Sequence, residues 1–259
     1  MLRVVRALWQ REILKFLRDR ARVVGALVQP LAFWVLLGLG FYDSFQMPGG
    51  SDVSYLEYLF PGIVALILLF TAIFSTIYIV EERQTGLLQA ALVAPVSRLS
   101  LVLGNLAGGV TLALVEALLF LLLAPLVGLT PSFVGLLVIV LAAVSMATAF
   151  TALGFTIAWR LDTTRGFHAI MNLVLLPMWI LSGAFFPAEG VPLAVRWVMY
   201  VNPAFYGVAA LRDGLYLPEA APSAAGLPTA LALGLSVAFA AAMVGLAVWT
   251  VQRRSTVAA

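Results

Sequence analysis

Leu59-Phe60-Pro61-Gly62-Ile63-Val64-Ala65-Leu66-Ile67-Leu68-Leu69-Phe70-Thr71-Ala72-Ile73-Phe74-Ser75-Thr76-Ile77-Tyr78-Ile79-Val80 runs for 22 residues without a charge and stops at Glu81-Glu82-Arg83. As a helix rising 1.5 Å per residue it measures about 33 Å, enough to cross a hydrocarbon core of about 30 Å. Five further stretches repeat the pattern: Val23 to Tyr42, Leu101 to Val127, Phe133 to Trp159, Ala169 to Phe186, and Leu227 to Val251. Composition agrees, with 63% hydrophobic and 10% charged residues and a mean hydropathy of +1.06. Soluble domains carry roughly 45–50% apolar residues. The fold class predicted is an all-α membrane protein of six spans.

The charges between the spans assign sides, because short loops rich in Lys and Arg stay cytoplasmic. Arg3, Arg6, Arg11, Lys15, Arg18, Arg20 and Arg22 precede span one, Arg83 and Arg98 separate spans two and three, Arg160 and Arg165 separate four and five, and Arg253 and Arg254 follow six. Only Arg196 and Arg212 fall on the other side. Both termini are expected in the cytoplasm, and the basic start with its full-length span reads as permanent rather than as a cleaved leader. The chain has no cysteine, so neither disulfides nor thiolate metal sites enter. Topology accounts for the net charge of +3 without nucleic-acid binding.

Three segments outside the spans carry pattern. At 100° per residue Leu2, Val5, Trp9, Ile13, Phe16 and Leu17 share one face of an N-terminal helix over 1–22, with Arg11, Lys15, Arg18 and Arg22 opposite. Such a helix is expected in the membrane interface with its basic face on anionic headgroups. In the loop over 81–100, Leu87, Leu88, Ala91 and Leu92 fall at helical spacing and Pro95 ends the run. An apolar surface there suits the docking of another protein. Within the outer segment over 187–226, Leu193 to Tyr200 and Ala204 to Tyr216 are expected as short helices joined by a turn at Asn202-Pro203.

Catalytic constellations are missing. Lys15 is the only lysine and no glycine-rich turn precedes it, so a P-loop is excluded. His168, the only histidine, sits at the start of span five, about 21 Å along a helix from Ser182. The aspartates are scattered. Glu116 is the one carboxylate near mid-membrane, where insertion costs roughly 3 kcal/mol and demands a partner or a cavity. Two readings stand for it: proton coupling or substrate contact, and a buried hydrogen bond to Thr111 or Thr148. Gly104 and Gly108 have the small-xxx-small spacing of a helix dimerisation face. Pro30 and Pro177 are expected to kink spans one and five.

Several motifs together resemble the permease subunits of the type-2 exporter family of ABC transporters. They are Tyr58-Leu59-Phe60-Pro61-Gly62, Glu81-Glu82-Arg83-Gln84-Thr85-Gly86 with Leu92-Val93-Ala94-Pro95-Val96-Ser97-Arg98, Leu181-Ser182-Gly183-Ala184-Phe185-Phe186-Pro187, and Asn202-Pro203-Ala204-Phe205-Tyr206 with Leu211-Arg212. The resemblance spans essentially the whole chain and implies one transmembrane permease domain, 1–259, in a bacterial inner membrane. It implies two ABC ATPase subunits on the cytoplasmic side, a second permease copy, and contact with membrane lipids. ATP and Mg are expected on the partner ATPase, and no cofactor on this chain. By position, the family's ATPase-coupling residues fall on Glu82, Arg83, Thr85, Gly86, Leu88 and Pro95, and its outer re-entrant helices on Asn202, Pro203, Tyr206 and Arg212. The implied activity is export of a hydrophobic drug, a lipid or a lipid-linked saccharide. Phe33, Trp34, Phe70, Phe74 and Trp179 are candidates to line the path. The competing expectation is an ATP-independent transporter or channel that uses Glu116.

Overall fold

A computed structural model describes residues 1–41, 53–87, 97–216 and 226–253, except for the side chains of residues 21 and 22. All regular structure among them is helical: α1 Leu2–Arg18, α2 Arg20–Gly40, α3 Tyr55–Phe74, α4 Ile77–Gln84, α5 Arg98–Leu121, α6 Phe133–Ala158, α7 Thr164–Trp179, α8 Leu193–Val201, α9 Pro203–Tyr216 and α10 Thr229–Arg253. Six stretches are long and apolar enough to cross a membrane: Val23–Gly40, Tyr55–Gln84, Arg98–Leu121, Phe133–Ala158, Thr164–Ala184 and Thr229–Arg253. They coincide with the six spans expected from hydropathy, with ends moved by a few residues.

Local chemistry sets the boundaries. Ser54, Ser97, Ser132 and Thr163 open α3, α5, α6 and α7, each side chain accepting a backbone N–H three residues on. Such a cap contributes about 1 kcal/mol. The Tyr55–Gln84 span breaks between α3 and α4 where Ser75 donates to the Ala72 carbonyl and Thr76 to the Ile73 carbonyl, both at 2.7 Å. These hydroxyls compete with the backbone ladder. Beyond α7 the helix widens into a π turn at Ile180–Ala184.

α3 is the innermost helix, with Leu59 through Leu69 all buried, and α6 packs against α3, α5, α9 and α10. Small residues let the helices close: Ala142, Ala143 and Ala147 on α6 and Ala232, Ala240 and Ala247 on α10 are buried, and Ser145 and Ser236 share a hydrogen bond of 2.8 Å.

α1 is seated on α5. A Cβ at Gly104 would lie 2.7 Å from the Leu8 Cβ, and one at Gly108 would lie 2.7 Å from the Glu12 Cβ. The small-residue face expected to meet a second copy is therefore occupied by the chain's own first helix. Trp9 Nε1 adds a 3.0 Å hydrogen bond to Thr111 Oγ1. The inward side of α1 runs Val5, Leu8, Trp9, Glu12 and Phe16, while Leu2, Leu14 and Leu17 are exposed. This face is turned from the purely apolar one and admits Glu12, for the electrostatic reason given below.

Candidate functional site

The bundle has a basic end, where α1, α4 and the start of α7 carry the arginines, and a far end. Four motifs distant in sequence meet at the far end. Gly183 takes φ of +79°, a left-handed conformation that glycine adopts without a Cβ clash, and the helix unwinds around it. Unwinding releases carbonyls that a membrane interior would leave without water. Each finds a donor. Asn202 Nδ2 reaches the Met178 carbonyl at 2.6 Å, Ser182 Oγ reaches Trp179 at 2.5 Å, and the Tyr55 hydroxyl reaches Phe185 at 3.3 Å.

Gly183 receives two donors, the Tyr58 hydroxyl at 3.1 Å and Arg212 Nη2 at 3.0 Å. Arg212 is 4% exposed, donates also to the Tyr58 hydroxyl and carbonyl at 3.3 Å each, and stacks 4.1 Å above the Tyr58 ring. Its planar fork ties α3, the π turn and α9 together, which an ammonium on a flexible stem does less well. Trp179 Nε1 donates to the Gly62 carbonyl at 2.7 Å, closing the same junction. Asn202 Oδ1 accepts the Ala204 N–H at 3.0 Å and so caps α9, with Pro203 at the first helical position. The expected turn at Asn202-Pro203 and the two short helices beside it are present, and Tyr206 donates to the Tyr200 carbonyl at 2.6 Å. Arg196, the other far-end arginine, donates to the carbonyls of Ala188 and Glu189.

At the basic end α1 is tied to α4. Lys15 Nζ lies 2.6 Å and Arg11 Nη2 3.0 Å from Glu82 Oε1, and Arg11 Nη2 lies 2.8 Å from Glu12 Oε1. Two residues of the expected headgroup face thus turn into an ion cluster, while Arg18 stays exposed and the Arg22 side chain lies outside the described residues. Burial pushes the Glu12 carboxyl above its ordinary pKa, with Lys15 and Arg11 opposing and Glu82 adding to the rise. Without those cations Gly108 would face an uncompensated buried charge.

Arg83 next door serves the loop after α6. Nη1 donates to the Leu161 carbonyl at 2.9 Å and to Asp162 Oδ1 at 3.0 Å, and Nη2 donates to the Trp159 carbonyl. Asp162 is well exposed, so the carbonyl bonds matter more than the ion pair. Thr85 Oγ1 donates to the Glu81 carbonyl at 3.1 Å, and Gly86 ends α4 at φ +77°. Leu88 and Pro95, expected in the same segment, lie outside the described residues.

Glu116 is buried, and its Oε2 accepts the Thr71 hydroxyl at 2.5 Å. Thr111 is bonded elsewhere, to the Ala107 carbonyl and Trp9. Thr71 lines a cavity of about 390 Å³ with Phe16, Gly25, Ala26, Gln29, Phe70, Phe74, Ser75, His168 and Asn172. Of the aromatic candidates only Phe70 and Phe74 are there. Trp34 packs edge-on to Phe60 and Phe120, Trp179 edge-on to Phe185, and Phe33 edge-on to Trp179. Gln29 and Asn172 carried a signal that the motif reading passed over: each is a carboxamide within an apolar span.

Six long apolar helices, a cavity among three of them and a broken span held by a buried arginine define a multi-pass membrane protein. Residues 3–216 match the family model described as ABC-2 type transporter, and the chain belongs to that family. It is similar to nodulation protein J of Rhizobium leguminosarum bv. viciae, 27% identical over 80% of each chain. It is also similar to a protein of Porphyra purpurea named as a transport permease, ycf38, 25% identical over 80% of this chain and 72% of that one. A protein of Escherichia coli K12 named as a multidrug ABC transporter permease, YbhS, is 27% identical over 61% of this chain and 42% of its own length. The chain is accordingly a membrane transport subunit of an ABC transporter, a family whose permeases work with ABC ATPase subunits.

Proposed function

We propose that the chain forms the translocation path of an ATP-driven exporter, as two permease copies with two ATPase subunits at the basic end, which lies in the cytoplasm. One observation carries the reading. Along α5, α6 and α10 every exposed side chain between the terminal turns is apolar, whereas α2 and α7 expose Gln29, His168 and Asn172. Carboxamides within a span are costly to expose to lipid, so the faces that carry Gln29 and Asn172 meet protein or water. A second copy apposed through α2 and α7 would enclose the cavity between the two chains.

In this reading the α4 segment with Glu82, Arg83, Thr85 and Gly86 receives the ATPase. Its movement would reach the path through α1, because Lys15 and Arg11 hold Glu82 and Phe16 of α1 lines the cavity. The far-end clasp of Asn202, Pro203, Tyr206 and Arg212 would form the outer closure. The substrate would be amphiphilic, since Phe16, Phe70 and Phe74 stand beside hydroxyls and amides.

The chain lacks cysteine, so single cysteines test the apposition directly. Gln29→Cys and Asn172→Cys should give disulfide-linked pairs on oxidation in membranes, and Val237→Cys on α10 should not. Cross-linking at Val237 with none at Gln29 and Asn172 would overturn the arrangement.

A further inference from the structure

We propose that the break at Ser75-Thr76 is a hinge, and that α4 is a lever that turns on it when the ATPase acts, away from α5 and α6 and toward the cavity. The inference rests on the reading that α4 receives the ATPase. Its basis is the bonding at the break, the unequal packing on its two sides, and the ties at the free end of α4.

Through the break the helix tightens. Ser75 N–H still reaches the Thr71 carbonyl at 2.9 Å, but Thr76 N–H turns to Ile73 at 3.0 Å and Ile79 N–H to Thr76 at 3.1 Å, three residues back rather than four. Three-residue bonding within a long helix is a feature of hinges. The Ala72 carbonyl, which Thr76 N–H would reach in a regular helix, takes the Ser75 hydroxyl, and Ile73 takes the Thr76 hydroxyl. A change of angle at this point therefore strands no backbone group inside the membrane.

One side of the break is shut. A Cβ on Gly109 of α5 would strike the Ser75 hydroxyl, and one on Gly154 of α6 would lie 2.8 Å from Thr76 Oγ1 and 3.0 Å from the Ile73 Cα. Two helices thus close against the pivot, which fixes its position and blocks a swing toward them. On the other side Phe74 and Ser75 line the cavity of about 390 Å³, so the open direction is toward α2 and α7. α3 cannot follow, because Leu59 through Leu69 are buried in the core.

Beyond the pivot α4 runs for 8 residues, about 12 Å. Its free end is tied to parts that can travel with it. Lys15 Nζ sits 2.6 Å from Glu82 and 4.7 Å above the Tyr78 ring, on a flexible four-carbon stem. Gln84 Nε2 donates to the Asp162 carbonyl at 2.9 Å, beside the bonds of Arg83 to the same loop, and that loop leads into α7. A swing of about 20° would move Gln84 by roughly 4 Å.

The test is a distance measured by paired spin labels in the permease–ATPase complex in nanodiscs. The chain has no cysteine of its own, so Gln84→Cys on α4 and Gln252→Cys on α10 place the labels, and excess unlabelled copies restrict the signal to one chain. On binding a non-hydrolysable ATP analogue the distance should lengthen by roughly 4 Å, as the swing away from α6 requires. Ser75→Ala with Thr76→Ala frees the two carbonyls for a regular ladder and supplies the best helix formers, so it should cut the change to less than a quarter. A constant distance in the parent complex overturns the hinge, as does a change that survives in the double variant or a shortening of the distance. Should the double variant fail to assemble, Thr76→Ala alone must at least halve the change. A distance that responds to the analogue without any ATP-driven transport supports the hinge and removes the exporter reading. Transport with a constant distance removes the hinge alone.

Discussion

Replacing Arg212 with methionine removes the group that joins α3, the π turn and α9. Three hydrogen bonds vanish, to the Tyr58 hydroxyl and carbonyl at 3.3 Å and to the Gly183 carbonyl at 3.0 Å, together with a ring contact at 4.1 Å. Two of the bonds are long, so the lower end of the charge-assisted range applies, about 1.5 kcal/mol each, with about 1 kcal/mol for the ring. Against this, methionine fills part of the space and removes the cost of burying a cation. The net loss is about 3 kcal/mol, and at about 2–4 °C per kcal/mol the midpoint of thermal unfolding should fall by roughly 6–12 °C. Arg212→Lys separates geometry from charge. It keeps the cation but cannot reach carbonyls on two elements at once, so it should be at least as unstable as Arg212→Met. The assay is thermal unfolding of the full chain in nanodiscs, followed by near-UV circular dichroism, which reads the buried Trp179 and Tyr58. A shift under about 2 °C for Arg212→Met, or a lysine variant that matches the parent, would refute the clasp as the far end's main tie.

Gly108→Leu should detach α1 from α5, because even a Cβ there comes 2.7 Å from the Glu12 Cβ; accessibility of a cysteine placed at Leu8 to a water-soluble maleimide reports it, and unchanged protection would count against the seat. Glu12 and Glu82 should behave differently. The folded-state pKa of Glu12 is raised above 4.5 by burial, so the folded state holds the proton more tightly and stability falls as pH rises from 4.5 through the folded value. Glu12→Gln should flatten that slope and be no less stable than the parent at pH 7.5, the difference vanishing below pH 4.5; a steeper slope in the variant would contradict the burial argument. Glu82→Gln leaves Lys15 and Arg11 with Glu12 as their one remaining carboxylate in the cluster and should lower stability by about 1 kcal/mol, with Lys15→Met adding little in the double variant. Full additivity would mean that the pair does not interact. Arg83→Ala frees the loop at Trp159 to Asp162 and should raise amide exchange there while leaving the far end unchanged.

The spans were legible because lipid imposes a length and a composition on them that no tertiary contact has to supply. The helix start at Asn202-Pro203 was legible for a similar reason, since a cap and a proline act within a few residues. Pairing across long separations left no such trace. Tyr58, Gly183 and Arg212 each stand in a motif that the sequence singles out, but nothing in their spacing says that they meet, and their junction exists only because the span after Pro177 unwinds at a glycine and releases carbonyls. The ion cluster of α1 with Glu82 joins residues 67 apart and breaks no periodicity, so Arg11 and Lys15 read as an outward basic face. Gly104 and Gly108 announced a close helix contact without saying which helix would come. Glu116 announced a partner, and the choice of Thr71 over Thr111 or Thr148 was set by packing, with Thr111 already taken by Trp9.

Co-reconstitution with an ABC ATPase tests the central proposal most directly. Proteoliposomes holding this chain and its ATPase should accumulate a fluorescent amphiphile in the compartment opposite the ATPase only when ATP and Mg are supplied on the ATPase side, and should stop when the ATPase P-loop lysine is replaced. Transport by the permease alone at the same rate, without ATP, would contradict the account and favour an ATP-independent carrier built around Glu116.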